Sequence, residues 1–109
     1  MNVENKYFDL TSYAECIIND YKSPGWEQNE TRKKMVEEFI KGVRVDVGSK
    51  YVKVVTGNSV HSFIVIEAAG KFKRGDILKP ASWNAPAKNF ARGNVLAGNF
   101  ERIRWTGAN

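Results

Sequence analysis

The chain has 109 residues, a net charge of +5 and a sequence pI of about 9.4. This length suits one domain spanning residues 1–109, and a hydrophobic share of 42% argues against a disordered chain. No apolar run approaches the ~20 residues that span a bilayer, and the first ten residues lack the apolar core of a signal peptide. We therefore expect a cytoplasmic protein with no membrane association.

Residue types and motifs argue against an enzyme or a metal protein. Cys16 and His61 are the single residues of their kinds, so neither an internal disulfide nor a structural zinc site is expected. The sequence contains no G-x-S-x-G, no phosphate-binding G-x-x-x-x-G-K and no H-E-x-x-H. A site assembled from distant residues would leave no such motif. We nevertheless expect a non-enzymatic protein with no metal and no cofactor.

The positive charge is concentrated at one end of the sequence. Residues 1–70 hold 9 Lys/Arg and 10 Asp/Glu, a net charge of −1, whereas residues 71–109 hold 8 and 2, a net charge of +6. Clustered basic residues are typical of proteins that bind nucleic acid. Charge alone fits equally well a soluble basic surface with no specific partner.

Two helices are predicted within residues 12–41. The first begins at Ser12, whose spacing to Glu15 is that of a capping box. The second covers residues 30–41, and Asn29 before it is a favourable N-cap. Both segments place apolar residues three and four positions apart, which predicts one buried face on each helix.

Residues 43–109 are expected to form the β-rich part of the domain. Alternating or continuous apolar runs predict strands at 43–47, 51–55, 60–68, 77–79, 94–97 and 100–105. The run at 60–68 is the most apolar and should be central, and Gly98-Asn99 should be a hairpin turn between the last two strands. The predicted fold is α+β: two N-terminal helices followed by a small, mainly antiparallel, strongly curved sheet or half-open barrel of five to six strands.

A long loop at residues 80–92 separates two of these strands. Basic residues recur through the loop and the segment before it, interleaved with Phe72, Trp83 and Phe90. Lys and Arg can contact phosphates, and an exposed Trp can stack on a base. Phe72 and Phe90 are expected to be packed anchors, whereas Trp83 fits a binding platform and a packed anchor equally well.

The candidate binding surface combines this loop with the last predicted strand. Arg102 and Arg104 alternate with apolar residues there, so both should lie on one face. The candidate residues for binding nucleic acid or another partner are Lys79, Trp83, Asn84, Lys88, Arg92, Arg102 and Arg104.

Several short segments resemble a family of small tailed-bacteriophage proteins of unknown function. The likeness covers about residues 43–108 and is strongest over 72–95. The segments that carry it are SFIV (62–65), RGDILK (74–79), ASW (81–83), APAK (85–88), NFARGNV (89–95) and IRWTG (103–107). The resemblance implies a viral product that acts inside an infected bacterium, and it assigns no functional residue.

Two functions remain open from the sequence. The first is a basic module that binds DNA or RNA through its C-terminal basic and aromatic surface. The second is a phage accessory protein that binds a host bacterial protein through residues 81–92, with Trp and Arg as the main contacts, and that modulates or inhibits it. The oligomeric state is not indicated by the sequence.

Overall fold

The computed structural model describes residues 3–109. Its elements in chain order are helices α1 (Thr11–Tyr21) and α2 (Glu30–Gly42), then strands β1 (Val43–Val47), β2 (Tyr51–Thr56), β3 (Ser59–Val65), β4 (Ile77–Leu78), β5 (Ile103–Arg104) and β6 (Gly107–Ala108). A 3₁₀ turn at Trp26–Gln28 joins the two helices. No helix within residues 3–109 is long and apolar enough to cross a membrane.

The two helices begin in different ways. The start of α2 is as predicted, because the Asn29 side chain accepts a hydrogen bond of 3.0 Å from the Arg32 N–H. The capping box predicted for α1 is wrong. Asp9 lies before the helix, and its Oδ1 accepts from the N–H and the hydroxyl of Thr11 at 3.0 and 2.6 Å. This carboxylate binds the first amide of α1, so the helix starts one residue earlier than expected.

Strands β1 to β4 form one antiparallel sheet in sequence order. Strand β3 is internal, as its apolar sequence predicted. The register aligns Asp46, Lys53, Phe63 and Leu78 as neighbours across the four strands. Because directly paired residues point to the same face, these four side chains form one row on one side of the sheet.

The prediction of a strongly curved sheet or half-open barrel of five to six strands is wrong, although the α+β class is correct. Strands β5 and β6 pair only with each other, forming a separate two-stranded sheet. The four-stranded sheet ends at β4, which has only two residues. Pro80 soon follows it, and proline cannot donate to a ladder.

The hairpin predicted around Gly98-Asn99 is also wrong. The Asn94 side-chain oxygen accepts from the N–H groups of Leu96 and Ala97 at 2.8 and 3.0 Å, so residues 95–98 form turns. Such local side-chain bonds compete with strand pairing. The observed hairpin lies later in the chain, where β5 and β6 flank residues 105–106.

The four-stranded sheet is packed on both faces. The first face holds the larger core, which includes Val52, Ile64 and Ile77 together with α1 residues such as Ile17. The second face holds a smaller cluster of Phe63, Val65 and Leu78, against which Tyr51, Val60, Phe72 and Ala91 are partly buried. The chain after β4 covers part of this second face and places Trp83, Asn84 and Lys88 there.

Candidate functional site

The loop after β4 is fixed by its own backbone. The Ala87 N–H donates to Lys79 O at 2.7 Å, and the N–H groups of Ala81 and Ser82 donate to Ala85 O at 2.9 and 3.1 Å. Pro86 is buried within this turn of chain. These hydrogen bonds hold the loop backbone in one conformation and so position its side chains.

Trp83 is 45% exposed at the tip of the loop. Its ring centroid lies 4.9 Å from Lys53 Nζ, and the same ammonium group lies 5.9 Å from the Phe63 ring. Lys53 belongs to β2, so a cation–π contact joins the loop to the sheet. Trp83 is thus an exposed ring beside a cation, and its exposure favours the first of the two interpretations that the sequence allowed.

A shallow groove extends from this point along the second face of the sheet. It consists of two hollows of about 280 and 230 Å³ that share Ser49, Lys50 and Tyr51. We call these two hollows the basic groove. The other charged, aromatic and amide side chains that line it are Lys53, Phe63 and Asn84 in the first hollow, Phe72 and Lys88 in the second, and the two acids Asp46 and Glu67.

Two arginines lie against one aromatic ring beyond the groove. The guanidinium carbons of Arg92 and Arg102 are 3.9 and 5.4 Å from the ring centroid of Phe90. Phe90 is exposed, so the prediction that it is a packed anchor is wrong. Phe72 is partly buried against the smaller core, as expected. We call Arg92 and Arg102 the arginine pair.

Arg92 is only 6% exposed, which is unusual for a charged side chain. Its Nη1 donates to Asn89 Oδ1 and to Phe90 O, both at 2.7 Å and both neutral acceptors. Within residues 3–109 its buried Nε has no hydrogen-bond partner. Burial lowers the pKa of Arg92, and the positive charge of Arg102 lowers this pKa further. An anion bound beside the arginine pair would offset both effects.

A series of contacts connects the groove with the arginine pair. Lys88 lines the second hollow, and Lys71 Nζ donates to the carbonyl of the next residue, Asn89. The Asn89 side chain in turn accepts from Arg92. The structure therefore connects five of the predicted site residues: Trp83, Asn84, Lys88 and Arg102 are exposed, and Arg92 is buried against the Phe90 ring.

Lys79 and Arg104 are not part of this surface. Lys79 is exposed, and its carbonyl accepts the hydrogen bond from the Ala87 N–H within the loop. Arg104 Nη1 donates to the carbonyls of Glu101 and Ile103 at 3.1 and 2.9 Å, and β5 packs beside α1. Arg102 and Arg104 are both exposed, but they have different neighbours.

Sequence reasoning missed the cations that β2 and its preceding turn supply. Lys50 and Lys53 lie in the part of the chain with a net charge of −1, so counting charge along the sequence gave no reason to select them. The one available signal was the alternation in β2, which places Tyr51 and Lys53 on the same face.

A buried polar network resembles a catalytic arrangement in its residue types only. The Tyr13 hydroxyl lies 2.7 Å from Ser62 Oγ, and His61 Nδ1 lies 2.9 Å from the same oxygen. His61 Nε2 donates to Arg104 O at 2.7 Å. All three side chains are at most 1% exposed, so a substrate has no access and the network instead ties α1 and β5 to β3. Among residues 3–109, no group of three or more His, Cys, Asp or Glu is placed to hold a metal ion.

These features define an α+β domain with an aromatic-lined basic groove on one face of an antiparallel sheet. The chain matches a family of unknown function, DUF7717, over residues 2–108, and it belongs to that family. No curated protein and no solved structure matched the chain.

Proposed function

We propose that this protein is a non-enzymatic module that binds single-stranded DNA or RNA along the basic groove and the arginine pair. The observation that carries the proposal is the exposed ring of Trp83 beside Lys53, at one end of a connected basic surface. An unpaired base can stack on such a ring while the ammonium group contacts the adjacent phosphate. Bases in a duplex are already stacked, so a single strand is the better fit.

The composition of the surface supports this proposal. Its cations outnumber its acids: Lys50, Lys53, Lys71, Lys88, Arg92 and Arg102 against Asp46 and Glu67. The exposed Phe90 offers a second ring face flanked by guanidinium groups, which pair well with phosphate oxygens. Asn84 lines the groove with a side chain that can both donate to and accept from a base edge.

The direct test is fluorescence anisotropy with labelled oligonucleotides at low salt. We expect micromolar or tighter binding of single-stranded DNA or RNA, weaker binding of a duplex of the same sequence, and loss of binding as salt rises. Parallel titrations with DNA and RNA of one sequence identify the preferred strand. Absence of binding to either at micromolar protein and low salt would remove the proposal.

We further propose that the protein is a bacteriophage product that acts in the cytoplasm of the infected bacterium. The support is the resemblance of residues 43–108 to small tailed-phage proteins, since family membership by itself implies no source. The genomic position of its gene tests this directly. A location among phage genes is expected, and a location in a cellular genome with no phage genes nearby would contradict it.

A second candidate function is binding to a host bacterial protein. The observation in its favour is an aromatic cluster away from the groove, in which Tyr21 stacks on Phe39 with centroids 4.1 Å apart. Trp105 lies edge-on to both rings. The exposed Met35 lines a hollow of about 460 Å³ together with Tyr21 and Phe39. Exposed Trp, Tyr and Met are enriched at protein interfaces.

Pull-downs from nuclease-treated bacterial lysate separate the two functions. A stoichiometric protein partner that is lost with Met35→Ala supports binding through the aromatic cluster, and one lost with Trp83→Ala supports binding through the loop. A partner that disappears on nuclease treatment supports the nucleic-acid function instead.

A further inference from the structure

Strand β1 is an outer edge of the four-stranded sheet. Two backbone hydrogen bonds bracket its pairing with β2. The Gly57 N–H donates to Gly42 O, and the Gly48 N–H donates to Tyr51 O, each at 2.9 Å. In an antiparallel ladder, hydrogen-bonded and non-hydrogen-bonded residue pairs alternate. The two bracketing pairs therefore fix which β1 residues direct their backbone N–H and C=O groups toward β2 and which direct them away from it.

The residues at the outward positions are Val43, Val45 and Val47. They lie one, three and five positions after Gly42, at non-hydrogen-bonded sites opposite β2. Their backbone groups thus point toward the open edge. The Val43 N–H is used by α2, because it donates to Ile40 O. The Val43 carbonyl and both backbone groups of Val45 and Val47 face outward.

The side chains of β1 make this edge complementary to itself. Arg44 and Asp46 flank Val45 symmetrically on the second face of the sheet. If an identical strand pairs antiparallel with β1 and both are centred on Val45, Arg44 of each copy lies opposite Asp46 of the other. Edges that avoid pairing carry lysines, prolines or bulges. This edge instead carries one charge of each sign, and opposite charges attract in that register.

We propose that two copies of the chain form a two-fold symmetric dimer by antiparallel pairing of β1 with β1, centred on Val45. The backbone N–H of each Val45 donates to the backbone carbonyl of the other Val45. The N–H of each Val47 donates to the Val43 carbonyl of the other copy. The pairing also covers Val47, one of the exposed large apolar side chains of the molecule.

This dimer does not depend on the proposed nucleic-acid function. Its two-fold axis is perpendicular to the sheet, so the two four-stranded sheets become one continuous sheet. Both copies of the basic groove then lie on the same side. A short strand pair buries less surface than a permanent interface does, so the dimer should be weak and dependent on concentration.

Sedimentation velocity of the full chain, from low micromolar to near-millimolar concentration, tests the dimer. The wild type should shift from monomer to dimer as concentration rises. Asp46→Arg and Arg44→Asp each place like charges opposite one another twice, and each should raise the dissociation constant at least about tenfold. The double variant R44D/D46R restores opposite charges in every pair and should dimerise nearly as well as the wild type.

Arg44→Asp retains Asp46 opposite Lys53 within the sheet but removes the 2.8 Å hydrogen bond from Arg44 Nη1 to Gly57 O, so circular dichroism should first show that each variant is folded. Lys34→Glu, on the exposed face of α2, controls for a change in net charge and should leave the dimer unaffected. A wild type that stays monomeric at the highest concentration overturns the proposal. The proposal is also overturned if neither single variant changes the dissociation constant of the dimer, or if a folded double variant dimerises as weakly as either single variant.

Discussion

Trp83 and Trp105 are exposed to nearly the same extent, 45% and 42%, yet they have different neighbours. Trp83 contacts the Lys53 ammonium group, whereas Trp105 packs edge-on against Tyr21 and Phe39. The pair therefore offers a matched comparison between a ring available for binding and a ring that contributes to packing.

Trp83→Ala should leave the melting temperature nearly unchanged and weaken single-strand binding by about 1–3 kcal/mol, the usual contribution of one stacked base. Trp105→Ala should lower the melting temperature by several degrees and leave that binding intact. Circular dichroism melts and anisotropy titrations on both variants measure the difference. If Trp83→Ala reduces stability and not binding, the ring is an anchor.

His61 gives the fold a pH dependence. Burial lowers the pKa of His61, and its hydrogen bond to Arg104 O opposes this only in part. The native state therefore keeps the ring neutral at pH values where the unfolded chain, with a pKa near 6.5, takes up a proton. The unfolded state therefore binds more protons in this pH range. The contribution of His61 to the stability of the fold is complete above about pH 6.5 and is lost as the pH falls.

We expect the free energy of unfolding to decrease steadily as the pH is lowered from 7 to about 5, measured by urea denaturation. His61→Gln should be less stable at neutral pH but should lose most of this slope. The exposed Asp9, whose pKa the hydrogen bonds from Thr11 lower, would act only at more acidic pH. A wild type whose stability is constant or rises toward pH 5 would contradict the assignment.

At the scale of elements, the sequence predicted structure well where periodicity and capping act locally. Helix α2 has Asn29 before it and an apolar face, and strands β1 to β3 alternate or are continuously apolar. The failures lie where one polar side chain decides the backbone path. Asn94 binds two following amides, and the Asn99 side chain accepts from the Asn94 N–H at 2.6 Å. These bonds replace the predicted hairpin, and strand propensity cannot reveal them.

Two glycines in this region allow the energetic cost of steric crowding to be distinguished from the cost of a positive φ. Gly93 has φ +149°, and a Cβ there would lie 2.3 Å from Asn99 O, whereas Gly98 has φ +72° with nothing within 4 Å. Gly98→Ala should cost only the positive-φ penalty, about 1–2 kcal/mol. Gly93→Ala must also displace backbone and should cost about 3 kcal/mol or more. Urea denaturation of both variants tests this, and equal losses would show that the close approach of Gly93 to Asn99 is not needed.

At the scale of the whole molecule, the proposed binding surface is assembled from distant parts of the chain. The loop supplies Trp83 and Lys88, the C-terminal segment supplies Arg102, and β2 supplies Lys53 from a region with a net charge of −1. Sequence composition indicated the basic C-terminal third, and the loop within it was selected as a candidate site. The groove itself depends on the approach of Trp83 and Asn84 to Lys53 of β2, about 30 residues earlier in the chain, and no local pattern specifies that contact.

The assembled surface has a measurable electrostatic consequence. If the five accessible cations, Lys50, Lys53, Lys71, Lys88 and Arg102, each contact a phosphate, the logarithm of the binding constant should fall with the logarithm of salt concentration with a slope of about −3.5, since each single-strand phosphate contributes about −0.7. Lys88→Gln should make the slope less negative by about 0.7. Lys34→Gln is the matched control, because Lys34 is an exposed lysine that lines the aromatic hollow and not the groove. Anisotropy titrations over a range of salt concentrations give all three slopes. A slope near zero, or the same change for both variants, would mean that strands do not follow the basic groove.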